Sequence, residues 1–548
     1  MYCSNCGSKN EEHAKFCIRC GTPLNQSAAV RVPAATPVYA QTAAPAAAIA
    51  PAPMEHSDGT GKYILKRLIF FGIALVLGIL LSVLLFSRKS YSFAPSAPVP
   101  MVFSRLGYTL ILVLVPLILA FAVGMLGGLA KGNGAKNVVR IIAAVLRSLV
   151  PFAFGFVLIY LIAIEGRLLP LYGVQSGLSY ILPILALFIP LAGCFLDAAA
   201  DNGHPAGFQY GVAAVAAFAA NKMPVIVLAE VIVERIFSIP GIGVLTLNMV
   251  MSRANNMISV MIIYVVLIYV LRFLFDVISA VAAKGDPSPR SFAKVQGQKA
   301  LNGLMLTGII LAGIIILMAI ILPFTASRDY VQMNIGASYL APGEMGYVLG
   351  TDGLGRDLYA QLTTGLRNTV IMAITNTIIA VIIGAGFGIL MGFLKGAAAE
   401  VFKGITYVFG HGTIYALMLV LVMSSAGVMS FMIVGLFGWG GIAERVAGAV
   451  KEAKRSGRVK TALISPALGQ VVQTFCSAAI WISGIEVLGL VYTRPSFPTL
   501  GYQIGSSINA IGMRPHAILL TTAVLMILLI FFHVLQAGFS SREVYSGK

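Results

Sequence analysis

Charge is scarce in this sequence. Of its 548 residues only 11% are charged, whereas 58% are hydrophobic, and the mean hydropathy is +0.90. A soluble domain of this length would carry far more surface charge, so the composition predicts an integral membrane protein in contact with the lipid bilayer. The formal net charge of +18 does not indicate a nucleic-acid partner, because the basic residues lie mainly in short connections between apolar runs, as the positive-inside bias predicts.

Three other features are missing from the sequence. It has no G-x-x-x-x-G-K-[ST] phosphate loop, which excludes ATP hydrolysis by that route and predicts that the chain is not an enzyme. Neither His411 nor His533 has a clustered partner, so neither supports a metal site. No cleavable signal peptide is expected, because the first residues are polar and cysteine-rich and the first long apolar run starts only near Tyr63.

Four of the six cysteines form two C-x-x-C pairs close to the N-terminus: Cys3, Cys6, Cys17 and Cys20. Two tight turns of this kind can present four thiolates to one tetrahedral metal ion, and Zn²⁺ is the expected metal rather than a redox function. So short a segment has no other means of building a core. Residues 1–25 resemble small zinc-ribbon modules. Thiolate ligands also favour a reducing compartment, so the N-terminus is predicted to be cytoplasmic.

The rest of the chain divides into a tether and a series of apolar runs. Residues 26–60 are rich in alanine and proline and predict a disordered tether. The runs that follow have the length of about 20 residues that a bilayer-crossing helix requires. Twelve spans in two sets of six are predicted: 63–86, 106–129, 138–164, 178–196, 212–236 and 257–282, then 301–324, 369–393, 401–423, 427–441, 464–490 and 516–537. The fold class is therefore an all-α polytopic membrane protein.

A glycine-punctuated polar segment, GTDGLGRDLYAQLTTGLRNT at 350–369, interrupts the second set. Its chemistry predicts an interfacial turn ahead of a helix, with Asp352 and Asp357 neutralising Arg356. The order of its residues also resembles the G-T-D-x-x-G-R-D-x-x-x-x-L-x-x-G-x-R segment of the second permease subunit of dipeptide and oligopeptide ABC importers. That resemblance implies an external turn or gate that includes these three residues and Arg367.

Other stretches carry the same resemblance in the same order. AEVIVERIFSIPGIGVLTLNMV at 229–250 resembles a segment of the first permease subunit, and VGLFGWGGIAERVAGAV at 434–450 resembles one of the second. The resemblance implies two fused permease subunits, 61–290 and 291–548, each a type I ABC importer transmembrane domain of about six helices. It further implies a location in the cytoplasmic membrane, separate ABC ATPase subunits, an extracytoplasmic solute-binding protein, and cargo that is a peptide or a similar small solute.

In this family the loop between the fourth and fifth helices of each set docks into an ATPase through an E-A-A-x-x-x-G pattern. The matching positions are Asp197, Ala198, Ala199 and Gly203 in the first half, and Glu452, Ala453 and Gly457 in the second. Both loops depart from the pattern, since the first lacks basic residues and the second is shortened. A solvated connection is the alternative interpretation of each.

Charges inside apolar runs are costly and therefore mark candidate functional positions. Lys222 and Glu230 lie close to one face of a predicted helix and are candidate pathway charges. Glu234 beside Arg235 predicts a local ion pair at the interface.

Two other functions stay open at this point. One is an ion-coupled secondary transporter built from two six-helix repeats, although no convincing set of midplane carboxylates is present. The other is a transport-inactive, membrane-anchored regulatory or interaction protein that acts through its zinc ribbon.

Overall fold

The computed structural model describes most of the chain beyond the predicted tether. The described residues are 60–87, 98–127, 129–130, 132–170, 172–201, 208–251, 257–283, 292–293, 303–410, 435–456, 459–489, 497–508, 511, 515–540 and 544–545. The predicted zinc ribbon and most of the predicted tether lie outside these ranges, as do Gly203 and Gly457. The described residues beyond the tether belong to one compact unit.

Helices dominate the described residues. The first half contains α1 (Thr60–Ser87), α2 (Pro98–Gly127), α3 (Gly132–Ser148), α4 (Pro151–Leu158), α5 (Ile181–Asp201), α6 (Phe208–Ile236), α7 (Ile242–Met251) and α8 (Met257–Ala283). The second contains α9 (Gly303–Ile321), α10 (Leu358–Phe393), α11 (Gly396–Ile405), α12 (Gly440–Ser456), α13 (Val459–Val487), α14 (Leu500–Ser507) and α15 (Pro515–Ser540). Two π-helical segments, Ile159–Glu165 and Thr406–Gly410, follow α4 and α11. Strands β1 (Phe292–Ala293) and β2 (Val544–Tyr545) pair antiparallel.

Nine helices within the described residues are long and apolar enough to cross a membrane, and a bent pair raises the number to ten. The chain is therefore an all-α, multi-pass membrane protein. The predicted span 138–164 is not one straight helix, because the chain bends by 75° between Ser148 and Pro151. Pro151 occupies the first position of α4, where a missing N–H costs nothing but the preceding residues cannot continue the helix.

The second half differs from the prediction around α12. The predicted spans 401–423 and 427–441 lie mostly outside the described residues. Helix α12 continues through the positions from Lys451 to Ser456, where the sequence predicted a polar connection. It packs along α10 and against α13. Glycines on α10 allow this close approach, because each faces an apolar side chain of α12: Gly384 faces Ile442, Gly388 faces Val446, and Gly392 faces Val450.

The buried core crosses from one half to the other. Helix α2 packs on α5 and α6, and α10 packs on α12 and α13. Helix α15 contacts α9 and α13 of its own half and also α3 of the first half. Gly308 of α9 lies directly against the backbone of Leu535, so α9 and α15 approach closely. The core thus holds the two sets of helices together as one body.

Candidate functional site

The 350–369 segment is built around a buried carboxylate. Asp352 Oδ2 accepts hydrogen bonds from Arg356 Nε and Nη2, both at 2.7 Å, and from Gln361 Nε2 at 2.9 Å. Its Oδ1 accepts the backbone N–H groups of Leu354 and Arg356, each at 2.9 Å. Asp352 and Arg356 are 9% and 5% exposed. The ion pair and the additional hydrogen bonds to the carboxylate offset the free-energy cost of removing both charges from water. These directed contacts hold the turn in one geometry.

Asp357 plays a different part from the one predicted. Its side chain caps the N-terminus of α10, with Oδ1 accepting the N–H of Tyr359 at 2.9 Å and of Ala360 at 3.4 Å. A carboxylate at this position also interacts favourably with the helix dipole. Within the described residues the ion pair of Arg356 is with Asp352. The prediction that both aspartates neutralise Arg356 therefore holds for Asp352 and is corrected for Asp357.

A glycine fixes the backbone of the same turn. Gly355 has φ of +69°, and a Cβ at this position would clash with the carbonyl oxygen of Asn334. Both conditions require glycine. Arg367 lies half-buried further along α10 and makes no ion pair with Asp352. The structure thus brings Asp352, Arg356 and Asp357 together and leaves Arg367 outside the group.

A second arrangement of buried polar groups lies where α10 meets α13 and α14. Thr499 Oγ1 donates to Glu486 Oε2, and it accepts the N–H of Tyr502 at 3.2 Å, which caps α14. The N–H of Leu500 donates to Thr369 Oγ1 at 3.0 Å. We call Thr369, Glu486, Thr499 and Leu500 the second lock, because they hold the chain that follows α13 against α10.

The first half contains a matching arrangement, the first lock, formed by Thr109, Glu234, Ile242 and Val244. Thr109 Oγ1 donates to Glu234 Oε1 at 2.6 Å and accepts the N–H of Ile242 at 2.8 Å. Glu234 Oε2 accepts the N–H of Val244 at 2.8 Å. A Cβ on Gly241 would collide with the carboxylate of Glu234, so glycine is required for this close approach.

The two locks follow one plan. In each, a threonine of a long helix accepts the backbone N–H of the first residue of the short helix that follows the glutamate's helix, and a threonine hydroxyl donates to the buried glutamate. In the first lock Thr109 makes both contacts, whereas in the second Thr369 accepts the N–H and Thr499 donates to Glu486. The matching residues are Thr109 with Thr369, Glu234 with Glu486, and Ile242 with Leu500. Gly124 and Gly384 follow the two threonines at the same spacing, and each meets a packed helix. The two halves therefore repeat one arrangement in the same chain order.

The structure corrects the expected pairing of Glu234 with its neighbour. Glu234 is fully buried inside the first lock, whereas Arg235 is exposed. Consecutive residues of a helix point to different faces, so they do not form a pair.

The first predicted docking residue lies inside the protein. Asp197 is 7% exposed and forms an ion pair with Arg147. Arg147 Nη2 also donates to the carbonyl oxygen of His533 at 3.2 Å, and Ser148 Oγ lies 2.7 Å from His533 Nδ1. Asp197 therefore joins α3, α5 and, through Arg147, α15 of the second half. Its carboxylate is engaged in this conformation rather than presented to a partner.

The repeat explains why the two proposed docking sequences are unlike. Phe195 faces Gly124 in the first half, and Ile442 faces Gly384 in the second. In this register Asp197 matches Glu444 and not Glu452. Ala198 and Ala199 lie with Asp197 in the last turns of α5, where Ala198 is half-buried and Ala199 is buried.

The second predicted docking sequence lies at the end of α12. Glu452 and Ala453 belong to its last turns. Lys454 Nζ donates to the carbonyl oxygens of Gly392 and Phe393 at 3.3 and 3.4 Å. A cation at the C-terminus of α10 satisfies carbonyl groups that have no helical partner. The end of α12 is thus fixed to the end of α10.

Lys222 and Glu230 have different surroundings although both lie on α6. Lys222 is half-buried, and its charge interacts with Glu444 of the second half. Glu230 is fully buried, with its Oε2 3.4 Å from the hydroxyl of Tyr264 on α8. Glu230 therefore does not line an open path in this conformation.

One polar cluster between the halves was missed from the sequence. The guanidinium of Arg272 lies 3.7 Å from the ring centre of Tyr407, and its Nη2 donates to the Tyr407 carbonyl at 3.1 Å. The Tyr407 hydroxyl donates to Asp276 Oδ2 at 2.9 Å, and Arg67 lies 4.7 Å from the same ring. The signal was Arg272 and Asp276 one turn apart in an apolar run. The cluster joins α1 and α8 to the π-helical segment after α11.

Comparison with known proteins gives a match at the N-terminus and several along the chain. Residues 2–24 match the model of the zinc-ribbon domain. The dipeptide transport system permease protein of Lactococcus lactis subsp. cremoris is 30% identical over 174 residues, which are 31% of this chain and 49% of the relative. The oligopeptide transport system permease protein of the same subspecies is 35% identical over 83 residues, or 15% of this chain and 28% of the relative.

A glutathione transport system permease protein from Pectobacterium atrosepticum is 23% identical over 239 residues, which are 40% of this chain and 77% of the relative. The chain spans about half or less of the length of the dipeptide and oligopeptide relatives. These relatives are transport permeases rather than enzymes. The chain is a multi-pass membrane protein that is similar, over part of its length, to permease proteins of dipeptide, oligopeptide and glutathione transport systems, with a zinc-ribbon domain match at its N-terminus.

Proposed function

We propose that the chain is the transmembrane permease component of an ATP-driven, binding-protein-dependent importer for peptides or a similar small solute. Both permease domains, 61–290 and 291–548, would lie in this one polypeptide. The observation that carries the proposal is the pair of locks, because two domains with the same internal arrangement are what two related permease subunits would supply. The names of the relatives support the same reading.

In this proposal ATP is hydrolysed on separate ABC ATPase subunits. Their closure becomes a rigid-body rotation of the two halves, so each half must move as a unit. The locks and the Asp352–Arg356 pair supply that rigidity at one end of the helices. At the other end, Glu452 at the end of α12 is the docking residue that we favour, with Gly457 beyond it, whereas Ala453 is 6% exposed and packs inside the protein.

The proposal also assigns the two faces of the membrane. A cytoplasmic N-terminus would place the zinc ribbon, with Zn²⁺ on Cys3, Cys6, Cys17 and Cys20, beside the ATPases. The 350–369 segment would then be external, where it borders the entry for solute delivered by an extracytoplasmic solute-binding protein. Lys222 is the pathway charge that we favour, since it is only half-buried and its charge interacts with that of Glu444 in the other half.

A regulatory membrane protein without transport activity is the second candidate. It is favoured by one observation, that Asp197 is engaged with Arg147 and the first half offers no polar docking sequence among the described residues. An ion-coupled transporter would need buried carboxylates that open onto a pathway, and Glu230 and Glu234 are fully buried in this structure.

Affinity purification in mild detergent, followed by mass spectrometry and an ATPase assay, separates these functions. The test variant is Glu452→Lys, and the matched control is Glu344→Lys in the connection between α9 and α10. Recovery of ATPase subunits that Glu452→Lys weakens and Glu344→Lys does not would support the importer. Absence of any ATPase from the purified wild-type complex would favour the regulatory protein. Asp197 is unsuitable for charge reversal, because its loss would leave Arg147 as a buried, uncompensated charge.

A further inference from the structure

Two carboxyl groups lie side by side beneath the first lock. Glu230 and Glu234 occupy successive turns of α6, and both side chains are 0% exposed. Residues four apart on a helix are neighbours on one face, and these two carboxyl groups interact. Among the described residues, the side chains that act on Glu230 are Glu234, Tyr264 and Thr109, none of which is positively charged. The nearest basic residue in sequence, Arg235, is exposed on another face.

Two ionised carboxylates cannot share such a site. Burial disfavours each charged form, and a like charge at hydrogen-bond distance disfavours the second further. One proton between the two groups removes the repulsion and supplies a strong hydrogen bond, as in paired carboxyls generally.

The hydrogen bonds decide which group holds the proton. Glu234 already accepts at both oxygens, from Thr109 at 2.6 Å and from the N–H of Val244 at 2.8 Å. Its acceptor role suits the ionised form. Glu230 Oε1 is buried and receives no hydrogen bond from the described donors. That oxygen is therefore the one available to carry a proton toward Glu234.

We propose that Glu230 and Glu234 form a proton-binding site, in which Glu230 is a neutral carboxylic acid that donates a hydrogen bond to ionised Glu234. The proton allows Glu234 to stay charged while it holds the start of α7 through Val244. The second half has no such site, because Ile482 stands one turn before Glu486 where Glu230 stands before Glu234. Proton binding is thus a property of the first lock alone.

Infrared spectroscopy of the purified full chain tests the proposal directly. Wild type should show the carbonyl stretch of a protonated carboxyl group, shifted in D₂O, and Glu230→Gln should lose it. The Gln amide can still donate to Glu234, so this variant should melt close to wild type, whereas Glu230→Ala should melt clearly lower. Persistence of the band in Glu230→Gln would overturn the proposal. So would a Glu230→Gln protein that is as unstable as Glu230→Ala or fails to accumulate.

A bound monovalent cation is the competing way to neutralise the pair. Thermal melts of wild type in sodium, potassium and choline chloride at equal ionic strength distinguish the two. Equal melting temperatures in all three salts are expected for a proton. A stabilisation by sodium or potassium that Glu230→Gln abolishes would assign a metal cation to the site and overturn the proton assignment.

Discussion

The two locks share a buried glutamate, a threonine of a long helix and an N–H at the start of a short helix, but they connect these groups differently. In the first, Glu234 binds the backbone of α7 directly through Val244, and the connection between them is short enough to need Gly241 against the carboxylate. In the second, a longer connection follows Glu486, and the hydroxyl of Thr499 takes the place of the backbone N–H. The comparison teaches that the repeat between the halves lies in a carboxylate, a threonine and a loop N–H rather than in matching residues along the loop.

Removing the glutamates should give the largest effects and should separate the locks. Glu234→Ala leaves the Thr109 hydroxyl and the Val244 N–H without their acceptor and Glu230 without its partner. We therefore expect the free energy of unfolding to fall by about 3–5 kcal/mol, as when a buried charged network is broken. Glu486→Ala should cost less, about 1–3 kcal/mol, the cost of an unsatisfied buried group. Thermal unfolding in detergent measures both, with Arg235→Ala as the exposed control. Equal losses for the two glutamates would show that the locks are energetically alike.

Breaking the buried Asp352–Arg356 pair, which lies ahead of the long helix α10, should have the next largest effect. Arg356→Ala leaves Asp352 buried and uncompensated, so a loss of about 3 kcal/mol and lower transport are expected, with membrane insertion intact. The double variant Asp352→Asn/Arg356→Gln should recover part of the stability, and Arg367→Ala should change little. Normal uptake by Arg356→Ala at normal abundance would argue against a role of this turn in transport.

Two glycines of the connection between α9 and α10 allow the effect of backbone conformation to be separated from the effect of close packing. Gly355 and Gly343 both have positive φ, of +69° and +87°, but only Gly355 faces a backbone carbonyl at close range. Gly343→Ala should therefore lower the free energy of unfolding by about 1–2 kcal/mol, because of its backbone conformation alone. Gly355→Ala should cost clearly more, and unfolding midpoints of the two variants measure the difference. Similar midpoints would mean that the chain around Asn334 adjusts without cost.

The smallest effect is expected at Glu400, which contacts Lys66 at 3.3 Å and Lys403 at 2.9 Å near the surface. Partial burial raises the pKa of Glu400, but hydrogen bonds and charge from Lys403 and Lys66 outweigh it and lower the pKa. The stabilisation of the fold by these ion pairs is therefore present above the ordinary carboxyl pKa and is lost as pH falls through the lowered pKa of Glu400. Glu400→Gln should cost about 0.2–1 kcal/mol at neutral pH and less in acid or high salt. A salt-independent loss would contradict a surface ion pair.

Hydropathy predicted most spans, because a long apolar run has few other uses. It did not predict the bend at Pro151, since both sides of the proline are apolar and only packing shows that they are separate helices. Nor did it predict helix α12, whose polar end is held by Lys454 at the end of α10.

The contacts of some site residues could likewise be predicted from the sequence, and those of others could not. Local chemistry identified Asp352 with Arg356, because the pair lies within one turn of chain. The ion pair of Asp197 was not predicted, since its partner Arg147 is distant in sequence and joins it only through the packing of α3 on α5. Thr109 and Thr369 were missed because a threonine in an apolar helix gives no signal until the repeat is seen in three dimensions.

Native mass spectrometry of the complex purified from its own membrane tests the central claim most directly. If the chain supplies both permease halves of an importer, one copy of it should carry two ATPase subunits, and Glu452→Lys should reduce the fully assembled species. A complex with two copies of this chain around the ATPases, or a chain that purifies without any ATPase, would contradict the account.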